Sequence, residues 1–170
     1  LKLPLDAVVV RKLGLPWHPE LAMGAIAGDV VVHNERVMRE TNVDPADVER
    51  VVAAERVELA RREEAYRQGR PPVPVAGRLA IVVDDGLATG ATMRAAVLAL
   101  RQLRAARVIA AAPVGSDEAC ALVAREADAL VCPNVPRRFR AVGAWYADFA
   151  PVPDEAVTAL LGGGSTVRRG

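Results

Sequence analysis

An α/β fold is predicted, with a parallel sheet under flanking helices and one small antiparallel hairpin. Beyond Gly77, short β-branched runs alternate with helical patterns in the order β–α–β–α–β, which gives parallel strands joined by right-handed crossovers. Hydrophobic residues make up 52% of the chain and aromatic residues only 4%, so the core is aliphatic, as in buried parallel sheets under alanine-rich helices. A Gly28-Asp29 pair between two apolar runs marks the hairpin. With 170 residues, one domain over 1–161 is expected, and the Gly162-Gly163-Gly164-Ser165 run opens a flexible tail over 162–170.

Residues 5–12 hold Ala7-Val8-Val9-Val10 ahead of Arg11, Lys12 and Gly14, and read as a central strand emerging into a loop. Pro16 and Pro19, around Trp17 and His18, are expected to interrupt regular structure, because each ring restricts its own φ and its neighbour. Residues 21–27 and 30–33 form the two hairpin strands, followed by one or two helical turns near Val37 and Met38.

Residues 44–68 read as a long helix. Asp44 is the N-cap and Pro45 the first helical residue, with Asp47 in the first turn. Glu58–Arg62 and Glu63–Arg67 are acidic-before-basic i, i+4 pairs. Gly69 stops the helix before a stiff Pro-rich connector. So polar a helix fits an arm across the domain, a face packed on a second subunit of a homodimer, or a solvated helix.

Residues 79–83 are the next strand, and 92–103 a helix with Met93, Ala96, Val97, Leu100 and Leu103 on one face. A strand at 108–113, a Ser116-capped helix to about Glu126 and a strand at 130–132 complete the alternation. Residues 142–149 read as a short strand or ordered loop, and 153–161 as a last helix.

Charge excludes some functions. Against 22 basic residues stand 21 acidic ones, so no global field favours nucleic acid or a membrane surface. No apolar run approaches the roughly 20 residues of a membrane span. Cys120 and Cys132, like His18 and His33, lack metal-type spacing, and a reducing cytoplasmic location is expected.

The chemistry concentrates in Val82-Val83-Asp84-Asp85-Gly86-Leu87-Ala88-Thr89-Gly90-Ala91-Thr92. An apolar strand ends in two carboxylates, and a loop of small residues leads straight into a helix N-terminus. At the carboxyl edge of a parallel sheet, such a loop offers backbone N–H groups and a helix dipole to an anion, with the Thr89 and Thr92 hydroxyls as further donors. Two carboxylates beside a phosphate need something between them. A ribose supplies it, its hydroxyls donating to the acids while its phosphate rests in the loop. No lysine lies in this stretch, which argues against a P-loop, and the G-x-G-x-x-G of dinucleotide folds is absent. An ordinary βα-turn with an acidic cap is the plainer alternative.

This run resembles the phosphoribosyl-pyrophosphate (PRPP) signature of the type I phosphoribosyltransferases. Leu13-Gly14, Pro19-Glu20-Leu21-Ala22, the long polar helix and Ala141-Val142-Gly143-Ala144-Trp145-Tyr146-Ala147-Asp148-Phe149 resemble features of one branch of that family. The resemblance implies a Rossmann-like parallel sheet with flanking helices, and transfer of phosphoribosyl from PRPP to a nitrogen acceptor, such as a nucleobase, with release of pyrophosphate. It also implies that Asp84 and Asp85 hold the ribose hydroxyls and that the loop from Leu87 to Thr92 holds the 5′-phosphate. Mg²⁺ would bridge ribose and pyrophosphate oxygens, and Arg11 and Lys12 are candidates for the pyrophosphate. Trp145 and Tyr146 lie where an acceptor could stack, although a core plug explains them equally. Relatives carry a Gly-rich pyrophosphate loop ahead of the strand matching residues 7–12. Nothing before Leu5 can serve, so either the N-terminus is incomplete or that half-site is lost. The mobile catalytic loop of relatives is replaced by the largely helical residues 33–70. Three functions therefore stay open: an enzyme, a non-catalytic PRPP- or nucleotide-binding regulatory module, and a structural subunit.

Overall fold

The computed structural model describes residues 3–163. Its first half is an antiparallel sheet of β1 (Arg11–Leu15), β2 (His18–Ala27) and β3 (Val30–His33), in that order. The expected hairpin is present, with Ala27 opposite Val30 and Gly28 turning the chain at φ 53°. Two expectations are corrected here. Residues 5–10 join no strand, and the regular ladder begins only at Arg11, antiparallel to β2. The two prolines do not interrupt the sheet either. Leu15 pairs with His18 across a Pro16-Trp17 turn, and Pro19 lies near the start of β2. Prolines are compatible with turns and strand starts, where a missing N–H costs no ladder bond. Gly14 makes the register shift there workable, since a β-carbon on it would stand 2.3 Å from the Pro19 carbonyl oxygen.

Two helices follow, α1 (Glu35–Thr41) and α2 (Pro45–Arg67), capped by Asn34 and Asp44 side chains that accept from Val37 and Ala46 N–H groups. The long polar helix lies as an arm across the antiparallel sheet, one of the readings left open for it. Val48 and Leu59 of α2 enter a core with Val9, Leu13, Leu15, Met23 and Ile26. Arg11 Nε lies 2.6 Å from a Glu55 carboxylate oxygen, and Arg56 reaches Asp29 at 3.0 Å. The same helix and the segment just after it receive α5 (Asp154–Gly163), through a Tyr66 hydroxyl donating to Asp154 at 2.7 Å and an Arg70 guanidinium donating to the Leu161 carbonyl. Gly162 and Gly163 thus continue a helix rather than opening a tail; the rest of that expected segment, 164–170, lies outside the described residues.

The second half is the parallel sheet of β4 (Leu79–Val83), β5 (Arg107–Ala111) and β6 (Ala129–Val131), with α3 (Ala91–Gln102) and α4 (Asp117–Glu126) as crossovers. Met93, Val97 and Leu100 of α3 pack with Val108, Ala110 and, from α4, Val123. Each large side chain so buried contributes about 1.5–3 kcal/mol. The opposite side of α3 is an alanine stripe, Ala91, Ala95 and Ala99, against Ala25, Ala27, Val30 and Val32. Small side chains on both partners let helix and sheet approach closely, so α3 lies between the two sheets. Leu79, Ile81 and Val83 point away from these helices and stay 52–73% exposed, leaving the other face of β4 without a helical layer among the described residues.

Beyond the strand ends the parallel pairing resumes as single bridges, Leu87 with Gly115 and Val114 with Asn134. These bridges carry the carboxyl edge outward and fix the loop that follows β4.

Candidate functional site

The site grows from the end of β4. Asp84 N–H continues the ladder by donating to the Ala111 carbonyl at 3.1 Å, and the Asp84 carboxylate accepts from the Asp85 N–H at 3.0 Å. Asp84 is half-buried and Asp85 exposed. Burial, and to a lesser degree the Asp85 charge, raise the Asp84 pKa above the usual carboxylate value, against the lowering effect of the Asp85 N–H. Among the described residues no cationic side chain pairs with either acid. The pair is thus an uncompensated acidic edge, suited to hydroxyl donors or a cation.

Leu87 anchors the loop. Its side chain is 1% exposed in the core around α3, and its N–H donates to the Val114 carbonyl at 2.9 Å. This narrows the expected anion cradle: the Leu87 N–H is already bonded, and the segment free to meet a ligand starts at Ala88. From behind, Ser116 holds that segment. Its N–H donates to the Leu87 carbonyl and its hydroxyl to the Ala88 carbonyl, both at 2.8 Å. The same hydroxyl accepts from the Ala119 N–H as the cap of α4.

Gly90 caps α3 in the left-handed region at φ 76°, with no side-chain hydrogen bond to the helix. A β-carbon there would meet the Ala119 carbonyl oxygen at 3.2 Å, so both conformation and space favour glycine. Because Gly90 has no side chain to cap α3, the N–H groups that follow Ala91 in its first turn lack a side-chain acceptor, the arrangement that accepts anions at helix termini. Thr89 Oγ1 accepts weakly from the Ala91 N–H at 3.4 Å, and Ala91 itself is buried.

The opposite wall comes from the C-terminal part. A short 3-10 turn, Val142–Trp145, places Val142 over Gly86, where a β-carbon would overlap its methyl groups at 2.6 and 2.7 Å. The Tyr146 hydroxyl then donates to the Asp85 carbonyl at 2.6 Å, and its ring packs on Phe149 at a centroid distance of 5.2 Å. Burial first, then the Asp85 and Asp84 charges, push the Tyr146 phenol above its usual value. Tyr146 therefore belongs to the acidic edge, whereas Trp145 is exposed and neither ring plugs a core. No local pattern signals the Ser116–Ala88 and Tyr146–Asp85 bonds, which join positions 28 and 61 residues apart.

Arg11 and Lys12 lie elsewhere, on β1. Arg11 is paired with Glu55, while the Lys12 ammonium donates to the Glu20 carbonyl at 3.3 Å; among the described residues neither bonds to Asp84 or Asp85. His18 and His33 sit at the ends of β2 and β3, and no cluster of three or more His, Cys, Asp or Glu that could hold a metal occurs among the described residues.

An acid pair that leads through a small-residue loop into a glycine-capped helix, at the carboxyl edge of a parallel sheet, defines an α/β protein with its candidate site where such sheets bind ligands. The chain belongs to the phosphoribosyl transferase domain family, whose model matches residues 9–147. It is 46% identical over 162 residues to two Mycobacterium tuberculosis proteins, "Putative phosphoribosyl transferase Rv0571c" of strain H37Rv and "Putative phosphoribosyl transferase MT0597" of strain CDC 1551. That match covers 95% of this chain and 37% of each relative, so the chain spans little more than a third of their length. The crystal structure of TT1426 from Thermus thermophilus is similar at TM-score 0.72 and 43% identity, over 92% of this chain and 74% of that one.

Proposed function

We propose that this chain binds PRPP at the edge formed by Asp84, Asp85 and the segment Ala88–Thr92, and transfers its phosphoribosyl group to a nitrogen acceptor with release of pyrophosphate. The observation that carries this reading is the direct passage from two acids, without cationic partners among the described residues, into the glycine-capped N-terminus of α3. Asp84 and Asp85 accept hydrogen bonds from the ribose hydroxyls. The loop amides and the Thr89 and Thr92 hydroxyls receive the 5′-phosphate. Displacement at C1 then depends on positioning and on stabilising the leaving pyrophosphate.

Mg²⁺ fits this edge. It takes oxygen ligands and keeps waters and substrate oxygens in its shell, and two adjacent carboxylates without cationic partners among the described residues supply acceptors for those waters. Asp84 and Asp85 would hold it through substrate oxygens and water rather than directly, and when bound it would neutralise charge on the leaving pyrophosphate. Tyr146 keeps the Asp85 peptide oriented, and the neighbouring exposed Trp145 offers a flat surface to a heterocyclic acceptor. A cytoplasmic setting agrees with this substrate, and no helix of the described residues is long and apolar enough to cross a membrane.

Calorimetry of the chain with PRPP and Mg²⁺, paired with pyrophosphate release over a panel of nucleobases, tests the proposal. Binding with turnover on one base supports it; no heat and no thermal shift with PRPP would sink it. The second reading is a PRPP- or nucleotide-binding regulatory module. It is favoured by the Arg11–Glu55 ion pair, which engages one of the two cations considered for pyrophosphate. That reading predicts binding without turnover on any base.

A further inference from the structure

Cys120 lies in the first half of α4 and Cys132 directly after β6, so both reach the carboxyl edge of the parallel sheet. Gly115 shows how near they come. A β-carbon built on it would stand 2.8 Å from the Cys120 sulfur, 3.3 Å from the Cys132 sulfur and 3.0 Å from the Leu87 β-carbon. The two sulfurs therefore flank one backbone position, and that position touches the base of the loop after β4. Both thiols are free and half-buried, and Cys132 Sγ lies 3.6 Å from the Asn134 carbonyl oxygen. Burial first, then the adjoining Cys132 thiol, push the Cys120 thiol up to about 11.

We propose that Cys120 and Cys132 are a redox modification site, a dithiol that a low-molecular-weight disulfide converts into an intramolecular bridge that weakens ligand binding at the neighbouring loop. Its effect on the ligand rests on the function proposed above; the bridge itself does not. Cys120 is held protonated, so the first attack falls to Cys132. The Cys132 thiolate displaces one thiol from the small disulfide and forms a mixed disulfide. The Cys120 sulfur, losing its proton to solvent, attacks the Cys132 sulfur and expels the second thiol. Two cysteine thiols lose two electrons and two protons, and one small disulfide becomes two thiols.

The bridge reaches the loop through Gly115 and Ser116. A disulfide closes its sulfurs to about 2 Å, which requires movement of the two sulfurs that flank the open side of Gly115. The Gly115 N–H donates to the Asn134 carbonyl at 3.0 Å, and the next residue, Ser116, holds the Leu87 and Ala88 carbonyls. Movement of this strip shifts the support of the segment that meets the phosphate.

The test treats the reduced full chain with oxidised glutathione and maps its peptides without reduction, followed by PRPP titration with Mg²⁺ of the reduced and oxidised forms. The expected map shows a Cys120–Cys132 cross-link reversed by dithiothreitol, and the Cys120→Ser variant stops at a glutathione adduct on Cys132. PRPP affinity is expected to fall about tenfold on oxidation, as for a lost loop contact, and to stay constant in Cys132→Ser under the same treatment. Two separate glutathione adducts with no cross-link, or a cross-linked chain with unchanged affinity, would overturn the proposal. If even the reduced chain fails to bind PRPP, the proposed function fails and with it the effect on the ligand, while the peptide map still decides the bridge.

Discussion

The Tyr146 hydroxyl donates to the main-chain carbonyl of Asp85 at 2.6 Å, tying the C-terminal aromatic segment to the acid pair at the end of β4. The bond fixes the peptide that follows Asp85 and leaves the carboxylate itself unencumbered. Val142 over Gly86 closes the same junction by packing.

Tyr146→Phe keeps the ring contact with Phe149 and removes the hydroxyl alone. A single hydrogen bond at a half-exposed position contributes about 0.5–1.5 kcal/mol, so PRPP affinity is expected to fall roughly 2–10-fold. Because the bond is made within the unliganded chain, the melting temperature should also fall, by a few degrees at most. Calorimetry beside a thermal melt checks this, and an unchanged affinity would remove Tyr146 from the site.

Asp84 and Asp85 separate stability from binding. The folded state raises the Asp84 pKa above 3.8 through burial, so ionised Asp84 opposes folding at neutral pH. Protonation relieves this, and the relief is complete below the unfolded value. Asp84→Asn is therefore expected to melt higher than the parent at pH 7, with the difference shrinking as pH falls toward 3.8. PRPP affinity drops nonetheless. Melts across pH beside a PRPP titration give both numbers, and a variant less stable at pH 7 contradicts the sign. Asp85→Asn, at an exposed position, should weaken PRPP without changing the melt.

Gly90 and Thr89 divide along the same line. Gly90→Ala places a side chain at φ 76° and 3.2 Å from the Ala119 carbonyl oxygen, and is expected to cost about 1–2 kcal/mol before any ligand is added. Thr89→Ala removes an exposed hydroxyl with only a weak 3.4 Å bond to the Ala91 N–H, and should lower PRPP affinity while costing less than about 0.5 kcal/mol of stability. Urea unfolding of both variants distinguishes them; a Gly90→Ala chain as stable as the parent would show that the loop relaxes.

The two faces of the parallel half predict opposite tolerances. Met93→Ala opens the core between α3 and β5 and should cost about 2–5 kcal/mol. Ile81→Thr, on the exposed face of β4, should cost less than about 1 kcal/mol. Comparable losses in urea denaturation of this chain would mean that Ile81 is covered.

Local pattern makes the parallel half legible. The strand at 79–83, the Ser116 cap and the end of α4 at Glu126 stand where the residues around them predict, because each depends on neighbours within a few places of itself. The Ala7-Val8-Val9-Val10 run misleads for the opposite reason. Its β propensity is strong, but a strand needs a ladder partner, and β2 engages the chain only from Arg11. The Pro16-Trp17 turn escapes prediction because the same residues that break a strand also close a hairpin.

By itself the sequence determined the α/β alternation, the acid pair and the glycine-opened loop that joins β4 to α3, since strand, loop and cap chemistry are written in neighbouring residues. Only the tertiary structure decided what holds that loop and what does not. Leu87, Ser116 and Tyr146 bind its backbone from three separate parts of the chain, while Arg11 is drawn away to Glu55. Those choices turn on which distant groups meet across the sheets, and no local period or spacing encodes them.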